Sequence, residues 1–446
     1  MSGTIELPVW VVVLGTAFAV IALVDRIVGP SLRWMLRKRV KRAIERLNER
    51  LDLRIQDFKL IKREVLIDRL THDPAVIQAL EVERAATGKP VDVLSREVER
   101  YAREIVPSFS AYLYFSVGTR ISRWISRMLY RVRVAPFDPR LLKRLDDKTS
   151  VVFVMNHRSN ADYLLATYLA QQTSALSYAV GEWARVWPLS RIIRAMGAYF
   201  IRRKSRNALY RRVLSRYIQM AIEAGVTQAI FPEGGLSRDG SLGPAKLGLL
   251  SYIVSGFDPE AGRDVVFVPV GVNYDRVLED RILLSAETDA QGRPRFRASI
   301  LTSAMFILKL VWRRCTGRYH RFGYACVSFG EPLSLRAFQA SSKSDDAVKT
   351  LGLKLMRRIG SSVPIAPVPL VCAILVEADN RPMPRETILS EAKRRLAASR
   401  APRHVPHSDP SYMVEFALRI LLKRKLAVET ADGVTLRQAE DRKSVV

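Results

Sequence analysis

The chain has 446 residues, enough for two or three domains and a substantial buried core. Lysine and arginine number 72 against 44 aspartates and glutamates, and the formal charge of +28 predicts an anionic partner: nucleic acid, a lipid surface or acidic substrates. The three cysteines, Cys315, Cys326 and Cys372, lack the spacing of a metal or redox site, which argues against a disulfide scaffold and suits a reducing compartment.

The first predicted element is a membrane-spanning helix over residues 7–24. This run carries no charge, and at about 1.5 Å per residue it is roughly as long as the hydrocarbon core is thick. Arginines and lysines are dense between residues 26 and 46, so the positive-inside rule predicts a single-pass protein of the cytoplasmic membrane with its C-terminal part in the cytoplasm. Residues 31–50 are expected to form a basic helix on anionic headgroups. The alternative for residues 7–24 is a hydrophobic helix packed in a protein core.

Between residues 51 and 145 the pattern is helical, and no chemistry is evident there. From residue 150 to about 335, short β-branched runs alternate with helical segments, which is typical of an α/β layer around a largely parallel sheet. The predicted strands are 151–155, 176–180, 198–203, 227–231, 265–270 and 324–329. The predicted helices are 160–171, 186–196, 206–224 and 244–255.

After residue 341 the sequence becomes helical again, and it ends in a hairpin that turns at Asp432-Gly433. Helices followed by a hairpin resemble a winged-helix-like module. The predicted fold class is α/β, with a mixed, largely parallel core sheet flanked by helices. The predicted divisions are 1–50, the transmembrane and juxtamembrane helices; 51–145, a helical region; 146–340, the α/β domain; and 341–446, a C-terminal helical module.

The most informative segment is residues 151–165, which read VVFVMNHRSNADYLL. A buried strand leads into a polar loop, and a helix follows with Ser159 or Asn160 as its N-cap. His157 then lies in the loop and Asp162 in the first helical turn, where the two side chains can meet. A carboxylate on one imidazole nitrogen fixes the tautomer and leaves the other nitrogen free to accept a proton. Since the pair has no serine or cysteine nucleophile of its own, we expect a substrate hydroxyl to be the nucleophile.

Three further segments follow at domain-like spacing. They read GAYFIRR from residue 197, FPEGGLSR from residue 231 and VPVGV from residue 268. Together with the His-x4-Asp segment they resemble the four blocks of the glycerolipid acyltransferase superfamily. The first two blocks, the PAKLG stretch from residue 244 and the preceding helical region are most similar to the glycerol-3-phosphate acyltransferase branch. The resemblance covers residues 101–335 well and extends more weakly to residue 390.

The resemblance implies a reaction and the residues that carry it. His157, oriented by Asp162, would be the general base that deprotonates the sn-1 hydroxyl of glycerol 3-phosphate for attack on an acyl thioester, giving lysophosphatidate in the first step of phospholipid biosynthesis. Pro269 and Val270 would line the acyl side, the donor would be acyl-CoA or acyl-ACP (acyl carrier protein), and no metal or other cofactor is expected. The implied glycerol phosphate site consists of Arg158, Arg202, Arg203, Glu233, Gly234, Gly235, Ser237, Arg238 and Lys246.

One position departs from the pattern of this branch, which usually has arginine where this chain has Leu236. The alternative acceptors are therefore lysophosphatidate and dihydroxyacetone phosphate. Arg202 and Arg203 end a strand and point to opposite faces, so one is expected to reach the site and the other to pair with an acid. Glu233 is expected either to tether an arginine or to contact the acceptor hydroxyl.

Two interpretations come from other classes of protein. A nucleic-acid-binding protein often concentrates basic residues on one recognition element, whereas here they are spread along the chain and densest after the predicted span. This distribution favours binding to an anionic membrane surface over binding to nucleic acid. The expected partners are therefore that surface, glycerol 3-phosphate and the acyl donor. An inactive scaffold is disfavoured by the intact pair of His157 and Asp162.

Overall fold

The computed structural model describes residues 53–135, 149–181, 189–202, 207–237, 239–260, 263–280, 321–341, 346–379, 381–399 and 409–437, with shorter pieces elsewhere. The chain divides into two compact units, Met1–Arg54 and Ile55–Val446, and all elements below belong to the second. The predicted span at residues 7–24 and most of the basic segment lie outside the described residues. Along the described part of the chain, no single helix is long and apolar enough to cross a membrane; Ala347–Ser362 and Pro367–Glu377 meet that criterion only as a pair bent by 95°.

The first part of the second unit is helical. Asp73 starts the third helix, because its side chain accepts a hydrogen bond from the Ala75 N–H at 3.0 Å and Pro74 occupies the first turn. Gly88 ends this helix in the left-handed conformation, at φ +68°. The elements are α1 (Asp57–Leu60), α2 (Arg63–Thr71), α3 (Pro74–Thr87), α4 (Val91–Ile105), a π-helical turn (Leu113–Gly118) and α5 (Thr119–Leu129).

An eight-stranded mixed sheet forms the centre, in the order β1-β7-β6-β2-β5-β3-β4, with β8 pairing with β6 beside β7. Among these strands, the pairings of β6 with β7 and with β8 are antiparallel and the others are parallel. The largely parallel α/β prediction is therefore confirmed, although β1 and β8 were not predicted. The strands are β1 (Arg131–Val134), β2 (Thr149–Met155), β3 (Ser177–Val180), β4 (Tyr199–Phe200), β5 (Gln228–Ile230), β6 (Asp264–Tyr274), β7 (Tyr324–Phe329) and β8 (Leu333–Ser334).

Strand β2 occupies the interior of the sheet, between β5 and β6, and is buried along nearly its whole length. A run of valines suits this place, because a strand covered on both faces has no polar side to keep exposed. Its carboxyl end at Met155 pairs with Val270 of β6, and ligands of such sheets gather at this edge. The helices between these strands are α6 (Ala161–Thr173), α7 (Leu189–Ala195), α8 (Ala208–Glu223) and α9 (Gly248–Ser255).

The C-terminal part packs on strand β7 through its own apolar cluster. Tyr324 and Cys326 of β7 join this cluster together with residues of the last three helices. The chain ends in an antiparallel hairpin of β9 (Ala427–Thr430) and β10 (Gly433–Leu436), at the place where the Asp432-Gly433 turn was predicted. The helices of this part are α10 (Leu335–Ser341), α11 (Ala347–Ser362), α12 (Pro367–Glu377), α13 (Arg385–Ala398) and α14 (Pro410–Lys423).

Strand β6 passes so close to the end of α11 that position 271 has no room for a side chain. A Cβ at Gly271 would overlap the backbone carbonyl of Ser362. Because that neighbour is backbone rather than the tip of a flexible side chain, α11 itself would have to move. The glycine of the fourth sequence block therefore serves a packing contact.

We expect Gly271→Ala to lower the free energy of unfolding by about 1–3 kcal/mol, because overpacking a close backbone contact displaces α11. The measurement is urea denaturation followed by circular dichroism. Gly248→Ala is the matched control, since a Cβ there meets nothing within 4 Å. Equal stability of the two variants would contradict this explanation of Gly271.

Asp275 follows β6 and joins two other elements. Its carboxylate accepts the Tyr324 N–H of β7 at 2.6 Å and the Val368 N–H of α12 at 2.9 Å. Burial raises the pKa of Asp275 from 3.8 to about 7, since the ionised form loses its hydration. At pH 6 the folded protein thus retains a proton that the unfolded chain has released.

This difference predicts that the carboxyl of Asp275 stabilises the fold below about pH 4 and that the contribution is lost as the pH rises through 7. Relative to Asp275→Asn, the wild-type free energy of unfolding should fall by roughly 1 kcal/mol per pH unit between about pH 5 and 7. Urea unfolding of both proteins across this range measures the slope. A difference between the two proteins that stays constant with pH would contradict the shifted pKa.

Candidate active site

The loop after β2 is fixed to the neighbouring strand by an amide. Asn156 Nδ2 donates to the Val272 carbonyl at 2.9 Å, and its Oδ1 accepts the Val272 N–H at 2.7 Å. Both bonds are buried, where a missing partner would be costly. The side chain therefore continues the ladder between β2 and β6 and sets where the next residue, His157, begins.

His157 and Asp162 meet as the sequence predicted. His157 Nδ1 lies 2.9 Å from Asp162 Oδ2, and both side chains are almost wholly buried. The same oxygen accepts the backbone N–H groups of Arg158 at 2.7 Å and Ser159 at 3.0 Å. The other oxygen, Oδ1, accepts the Tyr274 hydroxyl at 2.5 Å. The carboxylate thus has four donors, which suits an ionised group in the interior.

This arrangement selects one tautomer of the imidazole. With the carboxylate accepting at Nδ1, the proton of the neutral ring is on Nδ1 and Nε2 carries the lone pair. Nε2 has no hydrogen-bond partner among the described residues. The ring itself is packed against Phe231, 4.3 Å between centroids, and edge-on to Tyr163 at 5.4 Å. The site therefore presents one oriented base.

Tyr274 and Glu279 were not predicted as parts of the site. Glu279 accepts the Ser159 hydroxyl at 2.7 Å and the Asn160 N–H at 3.0 Å, and burial raises its pKa. Burial also raises the pKa of the Tyr274 phenol well above its usual value, so the phenol stays a donor to Asp162. Tyr274 ends β6, two residues after the fourth sequence block, but its contact with Asp162 follows from the pairing of β6 with β2, which sequence order does not reveal.

The third sequence block braces the loop through Glu233. Its Oε1 accepts the His157 N–H at 2.8 Å and its Oε2 accepts the Gly243 N–H at 3.0 Å. Ser237 adds a second link, because its N–H donates to the His157 carbonyl at 2.8 Å. Gly234 has φ +66°, and Gly235 has open space where a side chain would be. The Lys246 stem packs beside Gly234, and the side chain is exposed.

The predicted arginines have different surroundings. The Arg158 guanidinium lies against Gly240, and burial lowers its pKa, although Glu233 and Asp162 favour its charged form. Arg202 forms two bonds with Glu104 of α4, at 2.9 and 2.7 Å, and this pairing raises its pKa. Arg202 is thus an arginine that pairs with an acid, and Glu104 is a partner that the sequence pattern did not identify. Arg203 and Arg238 lie outside the described residues.

Pro269 and Val270 lie on β6, buried in the interior of the sheet. Val270 lines a small apolar cavity of about 20 Å³ next to the end of β2. A cavity of about 530 Å³ lies elsewhere, between α1, α2 and the start of β3, and contains none of the predicted site residues. Within the described residues, no group of three or more histidine, cysteine, aspartate or glutamate side chains is arranged to hold a metal ion. The other lining residues of the small cavity are Phe153, Met155, Ala166, Leu169, Leu176 and Phe329.

Two family models match the chain. The acyltransferase model matches residues 137–273, and the model of the glycerol-3-phosphate acyltransferase C-terminal region matches residues 313–445. A glycerol-3-phosphate acyltransferase of Xanthomonas campestris pv. campestris is 28% identical over 372 residues, which cover 78% of this chain and 40% of the relative. A glycerol-3-phosphate acyltransferase of Aeromonas hydrophila is 26% identical over 368 residues, which cover 78% and 44%.

Among solved structures, the 1-acyl-sn-glycerophosphate (LPA) acyltransferase PlsC from Thermotoga maritima aligns with 59% of this chain and 80% of its own. The alignment has a TM-score of 0.33 and 18% sequence identity.

By these matches, the chain resembles an acyltransferase domain over residues 137–273. Over residues 313–445 it resembles the C-terminal region of glycerol-3-phosphate acyltransferases. It spans less than half of the length of the two curated relatives named above.

Tyr274→Phe tests the hydroxyl that supports Asp162. Losing one bond to a charged group should lower kcat for acyl transfer about tenfold, with little change in KM for the acceptor, because the imidazole is held less firmly. Steady-state kinetics measure both constants. Tyr130→Phe is the control, since the Tyr130 hydroxyl donates to the Arg276 carbonyl and not to Asp162. Equal kcat in the wild type and Tyr274→Phe would show that the other three donors to Asp162 are enough to hold the imidazole in place.

Proposed function

We propose that this chain transfers a fatty acyl group from acyl-CoA or acyl-ACP to the sn-1 hydroxyl of glycerol 3-phosphate, giving lysophosphatidate. The observation that carries the proposal is the buried pair of His157 and Asp162, which leaves one imidazole nitrogen free as a base. The printed names of the relatives support glycerol 3-phosphate as the acceptor.

In the proposed reaction His157 Nε2 takes the proton of the acceptor hydroxyl as its oxygen attacks the thioester carbonyl carbon. The negative charge collects on the former carbonyl oxygen, the C–S bond breaks, and the leaving thiolate takes the proton from the imidazolium. Asp162 orients the ring and stabilises the imidazolium. No acyl-enzyme forms, because the nucleophile is the acceptor itself. A well-placed general base of this kind is worth roughly 10²–10⁴-fold in rate.

The acceptor's phosphate would be bound at the turn of the third block. Gly234 and Gly235 let backbone N–H groups approach an anion closely, and Lys246 extends from beside Gly234 into solvent. Arg158 adds a guanidinium next to the histidine loop. In this arrangement Glu233 braces the loop through two backbone N–H groups and needs no direct contact with the acceptor. Arg203, Ser237 and Arg238 remain part of the proposed site on the family resemblance.

The acyl thioester would approach from the side of β6. Pro269 and Val270 are the proposed lining, and the small apolar cavity at Val270 supports an apolar acyl side. The carrier of the acyl group is anionic in either form, coenzyme A or acyl carrier protein, which suits a protein with a formal charge of +28. The reaction as written uses no metal or other cofactor.

The proposal also includes a place in the cell. Residues 7–24 would cross the cytoplasmic membrane once, residues 31–50 would lie on its anionic inner surface, and the catalytic unit would face the cytoplasm. Residues 146–340 would form the acyltransferase domain between a helical region, 51–145, and a C-terminal module, 341–446, of winged-helix-like construction.

Acyl transfer by the purified, detergent-solubilised chain tests the function. Labelled glycerol 3-phosphate is offered with palmitoyl-CoA or palmitoyl-ACP, and His157→Ala should lower kcat by about 10²–10⁴-fold because the base is lost. His72→Ala is the matched control, since this histidine is exposed at the end of α2. Comparison of the two donors identifies the carrier.

The acceptor is tested in the same assay. Product formed only with lysophosphatidate or dihydroxyacetone phosphate would contradict the assignment of glycerol 3-phosphate as the acceptor. Leu236 would then indicate a different acceptor. Folded protein that gives no product with any acceptor would contradict the proposal that the chain is an enzyme. Activity retained by His157→Ala would contradict the role of the base.

A further inference from the structure

Helix α5 exposes two large apolar side chains and buries three small polar ones, while Met128 and Leu129 at its end are buried. Thr119, Ser122 and Ser126 lie on its buried face, at no more than 5% exposure. Ile121 and Trp124 lie on its exposed face, at 50% and 57% exposure. A helix at the surface of a soluble domain has the opposite pattern, so this face is adapted to an apolar environment outside the protein.

Neighbouring segments extend this exposed apolar surface. The π-helical turn before α5 exposes Tyr112, Leu113 and Val117, and the region of α7 exposes Trp187, Leu189 and Ile192. The two segments are in contact, because the Ser110 N–H donates to the Ala195 carbonyl at 3.0 Å and the Met196 side chain lies against Gly118. We call these eight side chains, from Tyr112 to Trp124 and from Trp187 to Ile192, the apolar face.

The segments that carry the apolar face are basic, and Glu104 of α4 acts on Arg194 from outside them. The sequence contains no aspartate or glutamate in residues 105–137 or 183–222. Five arginines lie on α5 and α7, and three of them, Arg120, Arg127 and Arg191, are exposed. Exposed guanidinium groups suit phosphate oxygens. The five arginines are Arg120, Arg123, Arg127, Arg191 and Arg194.

We propose that the apolar face docks on an anionic lipid bilayer, with Trp124 and Trp187 at the level of the headgroups and the three exposed arginines on lipid phosphates. Apolar side chains beside arginines, with tryptophans between them, are the composition of an interfacial helix. An anionic surface complements a segment that has no carboxylates. This contact is separate from the predicted span at residues 7–24 and belongs to the catalytic unit itself.

The proposed contact would bring the site close to its apolar substrate and product, and it deepens the proposed function in that respect. Helix α5 packs against α6, whose first turn carries Asp162. Arg123 also lies over the ring of Tyr168 on α6, at 5.9 Å. The docking surface and the base are therefore carried by two helices in direct contact.

The experiment measures contact between Trp124 and lipid. The full chain is reconstituted into vesicles of phosphatidylcholine and phosphatidylglycerol, with or without bromine on the acyl chains near the headgroups. The fluorescence emission of Trp124 is obtained by subtracting the emission of Trp124→Phe from that of the wild type. We expect it to be at least about twofold lower in brominated vesicles, because bromine quenches tryptophans that enter the interface. Acyl transfer is not needed for this readout, so its outcome is independent of the proposed activity.

The matched control places a tryptophan on a helix that is not part of the apolar face. Val82 on α3 is 65% exposed, and Val82→Trp is made in the Trp124→Phe background. The tryptophan at position 82 should keep its emission in brominated vesicles. Ile121→Glu, which places a charge on the apolar face, should restore most of the Trp124 emission. Trp124 emission unchanged by bromine, or quenched no more than the control, would overturn the proposal. Equal quenching without phosphatidylglycerol would overturn the role of the arginines.

Discussion

The buried carboxylate of Asp162 is the group on which the rest of the candidate site depends. A carboxylate with no access to water costs several kcal/mol unless donors replace its hydration, and here four donors do so. Three of them come from the loop after β2, and the fourth is the Tyr274 hydroxyl at the end of β6. Because all four converge on one side chain, the loop conformation, the strand pairing and the imidazole tautomer are fixed together.

Two further contacts keep this arrangement in register with the sheet. Asn156 adds two hydrogen bonds between the end of β2 and Val272, which prevents β2 from sliding along β6. Glu233 links the His157 N–H to the loop that contains Gly243, and so ties the segment after β5 to the segment after β2. The base is therefore positioned by three adjacent strands before any substrate arrives, which is the preorganisation that general-base catalysis requires.

The sequence allowed the local part of this site to be predicted. The strand–loop–helix pattern of residues 151–165 located His157 and Asp162 within hydrogen-bonding reach, and the alternation of strands and helices indicated the largely parallel sheet. Tyr274, Glu279 and Glu104 could not be found in this way, because their partners are about one hundred residues away in sequence. Their contacts depend on β6 lying next to β2 and on α4 lying next to the end of β4, and local periodicity contains no information about such neighbours.

The distribution of charge explains how a strongly basic chain can hold such a site. In the described part of the chain, the buried acids are Asp73, Glu104, Asp162 and Asp275, whereas Lys59 is the one fully buried lysine or arginine. Each buried acid is bonded to an arginine, a histidine or backbone N–H groups inside the fold. The carboxylates thus organise the interior, while the other described arginines and lysines are at least partly exposed. The net charge of +28 is therefore carried by groups in contact with solvent, which suits the anionic substrates, carriers and lipid headgroups of the proposed function.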